Sequence, residues 1–294
     1  MRRIHRRDFL TQSLVTVGSL WTLPCCPSLL EAAAGPVKKA ASDRVYLGNT
    51  GIQLSRLAMG SGTNGVNYSS EQAKLGVKAF SELLCYGFDQ GVNFFETADQ
   101  YGAHAHVSAA VKAVRRDKVV ILTKTHARTA AQMRADLDRF RKELNTDYLD
   151  IVLLHCMMSP DWPNERKGAM EVLSEARERG VIRAHGVSCH TLEALKVAAR
   201  HPWVQVDLAR INPIEAHMDS DPATVISVLR EMKRAGKGVI GMKILGAGKL
   251  THDVDRAIHH ATHLDCIDAF TIGFSSRRHL DEVVTKMPSL SVKA

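Results

Sequence analysis

From about residue 55 onward the chain alternates between two hydrophobic patterns. Short runs of consecutive apolar, often β-branched residues fall at 55–61, 93–98, 119–124, 150–155, 184–189, 204–210, 238–245 and 269–274. A run without polar alternates predicts a strand covered on both faces. Between the runs, apolar residues recur every three or four positions, which is the helical period. The stretch 70–87 carries Ala73, Val77, Phe80 and Leu84 in one stripe, and 129–144 carries Met133, Leu137, Phe140 and Leu144. Similar stretches at 164–179, 191–199, 222–235, 251–263 and 278–285 complete the alternation. Strand–helix repeats with this rhythm predict an α/β protein with a parallel sheet, and eight strands predict a closed (β/α)8 TIM barrel. An open doubly wound sheet is the alternative. It needs a glycine-rich turn after its first strand, and residues 60–65 are glycine-rich. Ahead of the first run, residues 44–54 read as a β-hairpin with Gly48-Asn49-Thr50-Gly51 at its tip, placed to close the bottom of the barrel.

The size agrees with one such domain. The chain has 294 residues, 45% of them hydrophobic, and a barrel of about 250 residues would use nearly all of residues 43–294. The net charge of +8 is not gathered into Lys/Arg blocks interleaved with aromatics, so it reads as solvated surface and argues against nucleic acid as a partner. The first 34 residues have a different character. His5-Arg6-Arg7-Asp8-Phe9-Leu10 has the paired arginines of a twin-arginine signal, a modest apolar stretch follows to Leu23, and Ala32-Ala33-Ala34 offers a small-residue cleavage site. The expectation is a signal peptide at 1–34, a short linker at 35–42 and the barrel at 43–294. The folded protein would be handed to the twin-arginine translocation machinery, exported to a bacterial periplasm, and in contact with the membrane only transiently. Cys85, Cys156, Cys189 and Cys266 remain in the mature chain. Their spacing suits neither a zinc site nor a CxxC redox pair, so no metal is implied and buried thiols are expected.

Polar groups stand at the C-terminal ends of four successive runs, the end at which barrel enzymes do chemistry. They are Glu96 with Tyr101 in 91–102, Lys124 after Val119-Val120-Ile121-Leu122-Thr123, His155 after Val152-Leu153-Leu154, and Ser188 after Ile182-Arg183-Ala184-His185-Gly186-Val187. A phenol is a sluggish proton donor at neutral pH, an adjacent ammonium stabilises its anion, a carboxylate can hold that ammonium, and an imidazole can orient a carbonyl oxygen. With Asp147-Tyr148-Leu149-Asp150 ahead of the His155 run, and Arg139 and Leu144 upstream of it, the constellation resembles the aldo-keto reductase family.

The resemblance implies an oxidoreductase that interconverts an aldehyde or ketone and an alcohol by hydride transfer. Tyr101 would be general acid/base, Lys124 the group lowering its pKa, His155 the orienting donor, and Glu96 would stand where the family has aspartate. It also implies NADP(H), or NAD(H), across the barrel mouth and a small carbonyl compound as substrate. Ser188 matches the serine that meets the nicotinamide carboxamide. Cys189 takes the place of asparagine, Leu208 that of glutamine, and Met242 that of the stacking aromatic. The loop after the seventh run, with Lys243, Gly246 and Gly248, and the loop and helix start after the eighth, with Ser275, Ser276, Arg277, Arg278 and Glu282, match the parts that hold pyrophosphate and adenosine. Arg277 or Arg278 could pair with a 2′-phosphate, which favours NADP.

Arg210 and Lys243 are cations expected at the mouth, where they would bind a carboxylate or phosphate of the substrate or pair with Glu215 or Asp207. Asp99 and His104 either line the pocket or are loop polar groups. The chain ends at Ala294, where many members of that family continue into a loop over the substrate pocket, so a more open site is implied. Two other readings stand beside the reductase. One is an exported non-redox barrel of the same descent that binds an anionic ligand. The other is a lyase or isomerase that uses Tyr101 and Lys124 without hydride transfer.

Overall fold

The eight apolar runs pair side by side and close on themselves. In the computed structural model, which describes residues 38–292, the chain opens with a short antiparallel hairpin, β1 (Arg44–Tyr46) and β2 (Gln53–Ser55). The barrel strands follow as β3 (Leu57–Gly60), β4 (Phe94–Glu96), β5 (Val120–Thr125), β6 (Leu149–Met157), β7 (Ile182–Cys189), β8 (Val206–Arg210), β9 (Gly238–Met242) and β10 (Ala269–Gly273). They are hydrogen-bonded in sequence order, and β10 returns to pair with β3. Every barrel pairing is parallel. This is the (β/α)8 barrel; the open sheet is excluded by the closure. The twin-arginine segment and its boundary at residue 34 lie outside the described residues.

Alternation along each strand sorts side chains between two cores. Ala58, Phe94, Leu122, Leu153, Leu208, Ile240 and Ala269 point inward and pack in the barrel, where the hairpin adds Leu47, Ile52 and Leu54 as a floor. Phe95, Ile121, Val152, Val187, Val239 and Phe270 point outward into the layer shared with the helices. These helices are α1 (Glu71–Lys74), α2 (Val77–Asp89), α3 (His104–Val114), α4 (Ala130–Glu143), α5 (Trp162–Glu165), α6 (Lys167–Glu178), α7 (Leu192–Arg200), α8 (Pro222–Arg234), α9 (Val254–His263) and α10 (Arg277–Leu290). Several starts are fixed by the side chains that sequence-based reasoning expects. Thr129 and Gln132 form a reciprocal capping box, and Thr191, Asp221 and Ser276 each accept a backbone N–H of the first turn.

The differences from the expected elements have local causes. The stretch 70–87 is two helices, because Gly76 adopts φ +83 and starts a new one. Helix α3 was not anticipated: its inner face is His104, Val107, Ala110 and Val111, and small and polar residues there dilute the apolar stripe. Arg166 separates α5 from α6 by caps rather than continuing one helix from 164. Below the mouth, Asp150 explains the Asp-Tyr-Leu-Asp segment. Its buried carboxylate accepts from Arg116 Nη2 at 2.6 Å, Arg183 Nη1 at 2.7 Å and the Ile121 amide at 2.9 Å, tying β5, β6 and β7 together.

Candidate active site

The site is assembled from strand ends. Glu96 ends β4 and points inward; Lys124 sits one residue before the end of β5 with no exposed surface. A fully buried ammonium must be neutralised and hydrogen-bonded to be tolerated. Here Lys124 Nζ forms an ion pair with Glu96 Oε1 and donates to the Thr97 carbonyl at 2.7 Å. The other Glu96 oxygen accepts from Thr271 Oγ1 at 3.2 Å. The extra methylene of glutamate is therefore accommodated, with β4, β5 and β10 all anchoring the pair.

After Ala98 the chain makes one 3₁₀ turn, Asp99–Tyr101, that ends at Gly102 with φ +66. Asp99 is gripped by Arg139 of α4 through two bonds, Nη1–Oδ1 at 2.6 Å and Nη2–Oδ2 at 2.8 Å. This bidentate clamp holds the turn that presents Tyr101. His104 Nδ1 meets Glu143 at 2.6 Å and its Nε2 meets Thr123 Oγ1 at 2.9 Å. Glu143 also accepts from Arg139 at 3.1 Å, so Asp99 and Glu143 converge on one guanidinium. Asp99 and His104 thus support the site from outside its cleft.

Lys124 Nζ lies over the Tyr101 ring face, 4.7 Å from its centroid, and His155 meets that ring edge-on at 5.7 Å. The edges of the ring are confined by Gly62 and Gly65. A Cβ on Gly62 would fall 2.1 Å from Tyr101 Cε2, and one on Gly65 would fall 2.3 Å from Cδ1. The spacing Gly60-x-Gly62-x-x-Gly65 matches that of a dinucleotide-binding turn, yet in the closed barrel two of these glycines make room for a phenol.

Burial dominates the electrostatic setting of the phenol. Burial pushes the Tyr101 phenol well above its ordinary range, and Glu96 and then Cys156 push it further. The Lys124 ammonium, already paired with Glu96, does not outweigh burial. Burial also lowers the Lys124 ammonium, against the pull of Glu96. His155 is pushed well below the usual histidine range by burial, then by Lys124, so it is a neutral imidazole at pH 7. Its Nδ1 has no hydrogen-bond partner among the described residues.

The mouth holds more imidazoles than the strand-end rule picked out. His126 stacks on His155 at 4.7 Å, and His190 approaches it edge-on at 6.5 Å. Each follows a strand end by one residue, so extending the rule by a residue would have found them. Ser188 points inward and accepts from the Cys156 amide at 3.1 Å. Cys189 is a correction. It alternates outward into the helix layer and is fully buried there, so it cannot replace the carboxamide-binding asparagine.

A cleft of about 170 Å³ opens between the 60–64 loop and the loop after β9. Met242, Lys243 and Gly248 line it beside Glu96 and Tyr101. The Lys243 ammonium, on a residue at φ +61, has no ion pair or hydrogen bond among the described residues, and burial lowers it. Gly246 lies beneath, packed on Ile214. Leu208 points into the barrel core. Arg210 forms an ion pair with Asp219 rather than with Glu215 or Asp207. Asp207 itself faces outward, fully buried, and burial pushes its carboxyl well up.

The residues after β10 lie outside the lining of the cleft. Ser276 caps α10, Ser275 and Arg278 contact His279, Arg277 stacks on Tyr86 at 4.7 Å, and Glu282 pairs with Lys286 at 2.9 Å. Both arginines are exposed. The thiols of Cys85, Cys156, Cys189 and Cys266 are all free, the first and second only part-buried.

Comparison with known proteins places this geometry. The sequence profile described as the Aldo/keto reductase family matches residues 56–286. The chain is similar to aldo-keto reductase YhdN of Bacillus subtilis, 28% identical over 51% of this chain and 47% of that protein. It is similar to L-galactose dehydrogenase of Arabidopsis thaliana, 25% identical over 74% of this chain and 69% of that one. The alignment with YhdN thus spans about half of that relative's length. Among solved structures, an aldo-keto reductase fold from Pseudomonas aeruginosa superposes with a TM-score of 0.71 at 20% identity, covering 86% of this chain and 98% of that one.

The glycine cradle generates a test. Gly62→Ala is expected to lower stability by about 1–3 kcal/mol through overpacking against the Tyr101 ring. The cost should largely disappear in a Tyr101→Ala background, read as coupling in a double-mutant cycle of urea midpoints. Additive effects would mean that Gly62 does not confine Tyr101.

Proposed function

The chain belongs to the aldo/keto reductase family, and from that premise we propose that it interconverts an aldehyde or ketone and an alcohol using NADP(H), with NAD(H) as the alternative. Carrying most weight is the Tyr101 phenol held over a buried Lys124–Glu96 pair and against His155. The cleft fits a nucleotide in chemical terms. Lys243, with no ion pair among the described residues, is a part-buried cation suited to phosphate, and Met242 offers a soft surface to a flat ring; behind the lining, buried Ser188 keeps its hydroxyl proton to donate after accepting from Cys156. Exposed Arg277 and Arg278 are the groups available to a 2′-phosphate. A bound nicotinamide would supply the hydride.

The protein's part is to place and protonate the carbonyl. Neutral His155 donates to the substrate oxygen and orients it. Tyr101, kept protonated by burial, transfers its proton to that oxygen as negative charge develops there. The phenolate left behind would sit beside the Lys124 ammonium, whose attraction for it offsets part of the cost that burial imposes. The anion-binding alternative draws on Lys243, but Arg210 is already neutralised by Asp219, which leaves that reading one cation. Export is proposed from Arg6-Arg7; a processed chain in the periplasm that is lost in an Arg6→Lys, Arg7→Lys variant is the expected result, and unchanged processing would refute it.

Turnover of a panel of aldehydes and ketones with NADPH tests the catalytic proposal. Tyr101→Phe is expected to lower turnover by at least about 100-fold while the circular dichroism spectrum and thermal midpoint stay close to those of the parent. Because the folded-state phenol titrates well above its ordinary range, reduction should be flat through neutral pH, and alcohol oxidation should rise toward alkaline pH. Full activity in Tyr101→Phe would end the assignment.

A further inference from the structure

Strand β6 contains one residue too many at its catalytic end. Leu154 pairs with Val187, but Met157 pairs with Cys189, so three steps on β6 match two on β7. The extra residue is absorbed at Cys156, a non-glycine residue at φ +61. Such a bulge re-aims side chains and costs backbone strain, so it asks for a reason. Its effect is visible in the neighbours: His155 stays inward, Met157 stays in the helix-facing core, and Cys156 is released from both.

The thiol so released meets a base. Cys156 Sγ lies 3.1 Å from His190 Nδ1. His190 is held by its own amide, which donates to the Met157 carbonyl at 2.7 Å, and the Cys156 amide is fixed by Ser188 Oγ. Burial, then Arg210 and Lys243, push the His190 imidazole down to about 4, which keeps it neutral at neutral pH. Burial keeps the Cys156 thiol protonated at rest, so the pair is a neutral thiol hydrogen-bonded to a neutral imidazole rather than a preformed thiolate. Beside it stands His155, 4% exposed, its ring 6.5 Å from that of His190 and its Nδ1 unpartnered among the described residues.

We propose that Cys156 and His190 form a nucleophilic pair at the barrel mouth whose ligands are α,β-unsaturated carbonyl compounds, taken up as covalent conjugates. Cys156 Sγ bonds to the β-carbon as the carbon–carbon π bond breaks, and its electron pair passes to the α-carbon and the carbonyl oxygen, which His155 hydrogen-bonds. The thiol proton is relayed past the His190 imidazole in concert with carbon–sulfur bond formation, with no standing imidazolium, and is returned through solvent to the α-carbon. Atoms and electrons balance as an addition, with no oxidant or reductant. The adduct occupies the mouth above Tyr101. This chemistry uses neither hydride transfer nor a nucleotide, so it can stand or fall separately from the reductase assignment.

The test is alkylation of the full chain by acrolein and by N-ethylmaleimide, followed by peptide mapping that yields a rate for each cysteine. Cys85 is the internal comparator, part-buried like Cys156, with its thiol directed at the Ala110 carbonyl at 3.9 Å and not at an imidazole. Cys156 is expected to react at least about tenfold faster than Cys85, and His190→Ala to slow Cys156 by about tenfold or more while leaving the Cys85 rate unchanged. An altered Cys85 rate would show that the variant is misfolded; His190→Asn, which retains a polar group of similar size, then gives the same readout. Equal rates at Cys85 and Cys156 in the parent, or a Cys156 rate indifferent to loss of the imidazole in a variant with normal Cys85 reactivity, would overturn the pair.

Discussion

A fully buried ammonium has to be neutralised where it stands, and Lys124 determines how the mouth of this barrel is built. Its charge is met by Glu96 from the adjacent strand and by the Thr97 carbonyl, and Glu96 is held in turn by Thr271 from β10. Three strands are thereby locked in register at the end where the chemistry lies. Breaking one partner of such a pair costs several kcal/mol, so the site and the barrel top are stabilised by the same interaction. The arrangement also sets the proton chemistry. A lone lysine would pull the Tyr101 phenol down; a lysine already balanced by glutamate leaves burial in command, and the phenol rises. In the proposed reaction the Lys124 ammonium would offset part of the cost of a phenolate that burial opposes.

Tyr101 is placed by constraints on every side. The Arg139 clamp on Asp99 fixes its turn, Gly62 and Gly65 leave room for the ring edges, and Lys124 covers one face. A second layer carries its own logic. His126, His155 and His190 gather within one mouth, and burial among cations keeps His155 and His190 neutral, so they serve as donors and acceptors rather than as charges.

Much of this was legible in the sequence because parallel barrel strands announce themselves. Each strand is apolar on both faces, and its polar terminus marks the functional end, which brings Glu96, Lys124, His155 and Ser188 into view. The hairpin tip at 48–51 was readable for a similarly local reason. Helix α3 was not, since its buried face is built from alanine, valine and histidine and carries little periodic contrast. The outward turn of Cys189 follows from simple alternation once Ser188 is set inward. The pairing of Arg210 with Asp219, nine residues on across a loop, has no signature in a strand pattern. The upward shift of Tyr101 was hidden because it depends on how completely Glu96 cancels Lys124, and that is a matter of distance and burial.

The central claim is that this barrel mouth holds a nicotinamide nucleotide against Tyr101. Fluorescence titration of purified protein with NADPH, after any carried-over nucleotide has been stripped, addresses it most directly. The account predicts saturable binding at micromolar affinity or tighter, roughly 8 kcal/mol or more. A protein that is folded by circular dichroism yet shows no NADPH or NADH binding would contradict it.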